Sequence, residues 1–194
     1  GCIKHDLAVA LLHRQVDEEA RTESVERAIA SLVDALYLNS LAASPKLWRK
    51  LNSVLSEAYV LLAMSVRPSV DPRLCLHDAY KHAHSICLVR TISKHPVEWA
   101  ANLHKMALII LNYLDLFPEE HEPPIQGGGH ETKMQPLAAH VTALQNHSHH
   151  SAFSYAKAVE LLRRALTVPK LRPKTDTQGR YRDLWCNLNI TIAR

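Results

Sequence analysis

The sequence predicts an all-α protein made of antiparallel helix pairs, and three observations lead to this fold class. The 194 residues are 47% hydrophobic and rich in Leu and Ala, with only five Gly and two Phe, and this composition favours helix. Apolar residues recur at the three- and four-residue spacing of a helix with one buried face. No segment alternates β-branched or aromatic residues with polar ones between hairpin turns, so strands are not expected.

The first two helices are predicted at residues 4–14 and 18–39. The short first helix places Leu7, Leu11 and Leu12 on one face. The second carries a longer apolar stripe with helical spacing. Its members are Val25, Ala28, Ile29, Leu32, Val33 and Leu36.

Three further helices are predicted to begin at prolines. Proline is favoured at the first helical position because its missing N–H would have no partner there, and a preceding Ser or Asp can cap the helix. The three starts are Ser44-Pro45, Asp71-Pro72 and His95-Pro96. The first of these helices should end before Arg67-Pro68 and the third at Phe117-Pro118.

Residues 119–135 are predicted to be a mobile insertion, because they contain Pro123-Pro124 and three consecutive glycines, 127–129. Two helices are expected after it, at about 136–146 and 151–168, and a last one beginning near Arg180. Helices joined by short proline-marked turns pack as antiparallel neighbours. We therefore expect one helical domain over residues 1–194, cut from a longer protein.

The cysteines and the hydropathy pattern indicate an intracellular protein. The four cysteines show no Cys-x-x-Cys spacing, and three lie within helical patterns, which is typical of a reducing compartment. No uncharged apolar run reaches the roughly 18 residues of a membrane span, and the first ten residues do not resemble a signal peptide.

Three of the predicted helices share a Trp/Ala-x-x-Leu pattern, and the helix before each one carries small residues at the spacing Ala-x-x-x-apolar-x-x-Ala. The first pattern is at Trp48–Leu51, Ala100–Leu103 and Trp185–Leu188. The second is at Ala28, Leu32 and Ala35, at Ala79, Ala83 and Ile86, and at Ala158, Leu162 and Ala165. Together they resemble the tetratricopeptide repeat, as a degenerate variant with long helices in which Asn or His replaces the usual Gly. A plain helical bundle is the alternative.

The resemblance implies a protein-interaction scaffold whose first helices line a concave groove. In that family the residue before the pattern Leu commonly faces the groove, and the matching positions are Lys50, Asn102 and Asn187. Lys105, two residues after Leu103, could meet a partner carboxylate. We therefore expect these four residues to bind a segment or a helix of another protein.

A basic segment near the carboxyl end is a second candidate surface. The net charge is only +4 at pH 7, yet seven basic residues fall within 163–182. Arg163, Arg164, Arg180 and Arg182 are its candidate binding residues. Such a segment can dock acidic peptide, phosphate or RNA, although few aromatic residues accompany it, so an RNA- or phosphate-binding module is an alternative function.

The 13 histidines raise the further alternative of a metal-dependent helical enzyme. The nearest approach to a cluster is His140 with His147, His149 and His150. Neither His-Glu-x-x-His nor paired Cys-x-x-Cys is present, and there is no Gly-x-Ser-x-Gly or phosphate loop. We therefore predict no catalytic activity, no metal and no cofactor.

Overall fold

The computed structural model describes residues 18–65, 70–118, 153–171 and 182–193. These residues form six α-helices and one turn of 3-10 helix at Pro169–Leu171, and no strand occurs among them. The helices are α1 Glu18–Leu38, α2 Pro45–Ala63, α3 Pro72–Val89, α4 Pro96–Leu116, α5 Tyr155–Leu166 and α6 Arg182–Ala193. The predicted all-α class is confirmed.

Several predicted elements fall outside the described residues. These are the helices at 4–14 and 136–146 and the insertion at 119–135. Within the described part, no helix is both long and apolar enough to cross a membrane.

Proline marks the start of α2, α3 and α4, as the sequence predicts. At α3 the Asp71 carboxylate accepts a hydrogen bond from the Arg73 amide at 2.9 Å, which satisfies one of the free N–H groups of the first turn. Ser44 occupies the N-cap position of α2, but its hydroxyl makes no capping hydrogen bond. Ser154, which sequence reasoning did not single out, caps α5 by accepting from the Lys157 amide at 3.2 Å.

Each helix packs against the next one along the chain, from α1 on α2 to α5 on α6. Side-chain contacts give the direction of the central pairs. Asn102 near the start of α4 bonds Ala83 in the second half of α3, whereas Arg73 at the start of α3 lies over the Phe117 ring just after the end of α4. These crossed contacts make α3 and α4 antiparallel.

Helices two apart in the chain lie side by side, which gives the molecule two layers. In one layer, Lys105 of α4 reaches Glu57 of α2, and His104 of α4 contacts Thr191 of α6 at 3.1 Å. In the other, Tyr80 of α3 contacts Phe153, the residue that precedes the N-cap of α5.

The core lies between the two layers. The small-residue positions of α1, α3 and α5 are all buried; Ala28, Ala79, Ala83, Ala158 and Ala165 have no exposed surface. The pattern leucines of the other layer, Leu51, Leu103 and Leu188, are also buried, with at most 3% of their surface exposed. Alanine is favourable at a close helix crossing because it lets large side chains of the neighbouring helix fill the space at crystal-like density.

One polar network enters the core between α2 and α3. Asn52, which is 1% exposed, donates to the Trp48 carbonyl at 2.9 Å and contacts Nδ1 of His82 through Oδ1 at 2.9 Å. Because Oδ1 can only accept, Nδ1 of His82 must carry the proton. The His82 ring stacks on Tyr59 with centroids 5.6 Å apart, and burial lowers the His82 pKa.

Candidate partner-binding cleft

Three of the residues predicted to bind a partner meet in one cleft between α2, the end of α3 and the start of α4. Lys50, Asn102 and Lys105 line this cleft, which has a volume of about 300 Å³. We call it the basic cleft. Its other lining residues are Arg49, Ser53, Ile86, Arg90, Glu98 and Ala101.

The basic cleft carries an excess of positive charge. Four cationic side chains line it, from Arg49, Lys50, Arg90 and Lys105, and the lining carboxylate of Glu98 together with Glu57, which pairs with Lys105 from outside the cleft, offsets only part of that charge. Low-dielectric walls concentrate the field of such a cluster and attract anionic groups. The arrangement therefore favours a ligand with carboxylate or other acidic groups.

Arg90 is the most constrained cation of the cleft. Burial lowers its pKa, the positive charge of Arg49 lowers it further, and Glu98 raises it. A guanidinium nonetheless stays protonated in a protein. Its Nε is buried and has no hydrogen-bond partner among the described residues. A buried donor of this kind gains free energy when a ligand oxygen pairs with it.

Lys105 connects α4 to α2. Its ammonium donates to Oε1 of Glu57 at 2.6 Å and to Oγ of Ser53 at 3.3 Å, both on α2. The side chains of Lys105 and Glu57 are 27% and 57% exposed. A pair this exposed contributes only about 0.2–1 kcal/mol, so a ligand carboxylate can replace Glu57 at small cost.

Asn102 lines the cleft but has a structural role as well. It is 7% exposed, and its amide nitrogen donates to the Ala83 carbonyl at 2.7 Å and to Sγ of Cys87 at 3.0 Å. The resemblance to the tetratricopeptide repeat implied a groove-facing amide at this position and gave no sign of these bonds to α3. Burial raises the pKa of the Cys87 thiol, and the bond from Asn102 opposes that shift.

The other predicted binding residues lie away from the basic cleft or cannot be located. Asn187 is exposed on α6 and is not among the residues that line the cleft. Arg163 and Arg164 are exposed on α5, where Arg164 lies 5.6 Å over the Trp99 ring and 3.5 Å from Glu160. Arg180 and the side chain of Arg182 are outside the described part of the chain.

A second cleft, missed by sequence reasoning, continues the first along α2 and α4. It has a volume of about 370 Å³, and Lys105 and Glu57 line its edge. We call it the apolar cleft. Its remaining lining residues are Ser56, Val60, Leu61, Leu108, Ile109 and Asn112. The sequence does carry a signal for this cleft, the unbroken apolar run at 106–111. A helix with one buried face needs apolar residues only along one stripe, whereas this run places them all around α4.

The histidines that raise the alternative of a metal-dependent enzyme, His140, His147, His149 and His150, lie outside the described residues. Among the residues that are described, no group of three or more His, Cys, Asp or Glu side chains is arranged to hold a metal ion.

Comparison of the chain with protein-family models, with curated proteins and with solved structures finds no match in any of the three.

Proposed function

We propose that this protein is an interaction module that binds an acidic segment of a partner protein in the basic cleft. The observation that carries the proposal is the convergence of Arg49, Lys50, Arg90 and Lys105 on one concave surface with a single carboxylate. No catalytic step is part of the proposal.

The cations of the cleft act in two ways on such a segment. The exposed Lys50 and the half-buried Arg49 attract acidic side chains from a distance and raise the association rate. Arg90 and Lys105 then donate charge-assisted hydrogen bonds, which are shorter and stronger than neutral ones. The long-range attraction is screened by salt, so the affinity should fall as ionic strength rises.

A protein segment fits the cleft better than a nucleic acid strand. Single-stranded nucleic acids are held by a long cationic track together with aromatic rings that stack on the bases. None of the described residues that line the basic cleft is aromatic. A short cluster of cations without stacking surfaces is instead suited to carboxylates on a peptide.

Selection of a random-peptide display library on the immobilised 194-residue chain tests the proposal. We expect Asp and Glu to be enriched in the selected peptides. The Lys50→Glu variant should bind those peptides at least about tenfold more weakly, a loss of about 1.4 kcal/mol. Lys81→Glu is the matched control, because it makes the same charge change at a 62% exposed side chain on α3.

Peptides without acidic enrichment, or equal losses in Lys50→Glu and Lys81→Glu, would contradict the proposal. Tight binding of mixed-sequence single-stranded RNA, weakened by Lys50→Glu, would assign the cleft to nucleic acid instead.

A further inference from the structure

The basic and apolar clefts are adjacent parts of one seam between α2 and α4. Lys105 lines both, and its bond to Glu57 crosses the seam between them. The basic part lies toward the amino ends of the two helices, beside Lys50 and Glu98. The apolar part lies toward their carboxyl ends, beside Leu61 and Asn112. A single extended ligand could therefore follow the seam from one part to the other.

The apolar cleft is suited to an aliphatic side chain. Val60, Leu61, Leu108 and Ile109 supply its walls, and Leu108 is 39% exposed. Leu108 would be shielded from water by a hydrophobic group in the cleft. Charged groups stand only at the edge, where Lys105 and Glu57 neutralise each other.

Two polar side chains of the apolar cleft differ in whether a ligand can reach them. Ser56 has no exposed surface, and its Oγ has no hydrogen-bond partner within the described part of the chain. The half-buried Asn112 adds an amide to the lining. Because the Ser56 hydroxyl has no contact with solvent, the Asn112 amide is the group of this pair that can hydrogen-bond the main chain of a ligand.

The separation of the two clefts sets the spacing of the ligand groups. Ser53 lines the basic cleft and Val60 lines the apolar cleft. At about 1.5 Å rise per residue, these positions are about 10 Å apart along α2. An extended peptide covers that distance in about three residues, at about 3.3 Å per residue.

We infer that one partner segment fills both clefts, with acidic side chains in the basic cleft and a Leu, Ile or Met side chain about three residues away in the apolar cleft. This inference rests on the proposed function and specifies its ligand. The positive charge of the basic cleft selects this ligand for the apolar cleft. The segment that places an aliphatic side chain in the apolar cleft must also carry carboxylates for the basic cleft beside it.

The test uses a second display library in which two adjacent glutamates are fixed and the flanking positions are random. We expect Leu, Ile or Met to be enriched about three residues from the glutamates on one side. Changing that aliphatic residue of a selected peptide to Ala should weaken binding about tenfold, or about 1.4 kcal/mol. The Leu108→Gln variant should show the same loss with the original peptide and little further loss with the Ala peptide.

Leu88→Gln is the matched control, since Leu88 is a 69% exposed leucine on α3 that does not line either cleft. It should bind both peptides like the unchanged protein. Glutamine is used in both variants so that no charge is added near the glutamates of the peptide.

Three results would overturn the inference. Acidic peptides that bind with no preferred aliphatic position would limit the ligand to the basic cleft and leave the proposed function intact. Equal binding of the selected peptide by Leu108→Gln and Leu88→Gln would also limit the ligand to the basic cleft. Concentration-dependent dimerisation in sedimentation analysis, abolished by Leu108→Gln, would assign the apolar cleft to a second copy of this chain. Loss of acidic selectivity in the first library would instead contradict the proposed function itself.

Discussion

The two layers of helices are closed in different ways, one by packed aromatic rings and the other by an ion pair with a cleft on either side. Between α3 and the start of α5 lies Phe153, which is 3% exposed and packs on Tyr80 of α3, 5.3 Å away by ring centroids, and on Tyr113 of α4, 4.7 Å away. Between α2 and α4 the seam is crossed by the exposed bridge from Lys105 to Glu57, with a cleft on either side.

A ring cluster and an ion bridge have opposite consequences for a ligand. Aromatic side chains bury large areas and leave no space between the helices, so removing one is costly. A lysine-carboxylate bridge keeps its groups hydrated and can exchange one partner for another at small cost. We therefore expect the α3–α5 seam to contribute mainly to stability, and the α2–α4 seam is where we propose that a partner binds. The following predictions test that division.

The largest effect is expected from Phe153→Ala. Truncating a buried phenylalanine should lower the free energy of unfolding by about 3–5 kcal/mol, measured by urea denaturation followed by circular dichroism. Tyr155→Ala is the control, because Tyr155 is 57% exposed and its loss should change stability by less than about 0.5 kcal/mol. Similar values for the two variants would mean that the α3–α5 seam is not closed by the ring cluster.

Asn102→Ala should lower the free energy of unfolding by about 1–3 kcal/mol, because it removes the donor to the Ala83 carbonyl from a buried site. Asn187→Ala, at an exposed position, should be within about 0.5 kcal/mol of the unchanged protein. The same urea measurement separates them. The predicted role of Asn102 in partner binding is then tested with the selected peptides under conditions where both variants are fully folded.

A smaller effect is expected from pH, through His82. Burial lowers its pKa below the usual 6.5, an effect that nearby Lys81 reinforces and Asp78 opposes, while Asn52 and Tyr59 face the ring as neutral groups. At low pH the unfolded chain then binds a proton at His82 more readily than the folded chain does. The contribution of neutral His82 to the free energy of unfolding is therefore complete above pH 6.5 and is lost as the pH falls through the lowered pKa. His104 has the same direction of shift.

The measurement is the free energy of unfolding at pH 7.5 and at lower pH for the unchanged protein and for His82→Gln. The unchanged protein should lose more stability on acidification, since the variant lacks one of the two half-buried imidazoles whose pKa burial lowers in the described part of the chain. If the free energies of unfolding of the two proteins fell in parallel with pH, His82 would not contribute to the pH dependence of stability.

The smallest effect is expected from Glu57→Gln. Removing the carboxylate frees Lys105 for the ligand, so the affinity for selected acidic peptides should rise by about twofold to fivefold, the equivalent of one exposed ion pair. Glu23→Gln on α1 breaks an exposed pair with Arg27 and should leave the affinity unchanged in the same titration. A fall in affinity for Glu57→Gln would mean that the bridge positions Lys105 for the ligand.

The helices and most of the core could be predicted from the sequence, but the site only in part. The prolines at 45, 72 and 96 fix helix starts because the ring suits only the first turn, and α2, α3 and α4 begin there. Lys50 and Lys105 were predicted because the resemblance to the tetratricopeptide repeat implies that their positions face a groove. Arg49 and Arg90 were not predicted as binding residues, because neither belongs to a recognisable sequence motif. Their charges come together only when α2 packs against α3.

By itself the sequence determined the fold class, the helix starts and the buried faces, since these depend on local propensity and on the periodicity of apolar residues. The tertiary structure decided which seam is filled and which stays open. It joined Lys105 to Glu57, turned the Asn102 amide toward α3 and placed Leu108 beside Val60 and Leu61. These contacts connect residues on different helices, so they depend on how the helices pack against one another, which no spacing within a single helix specifies.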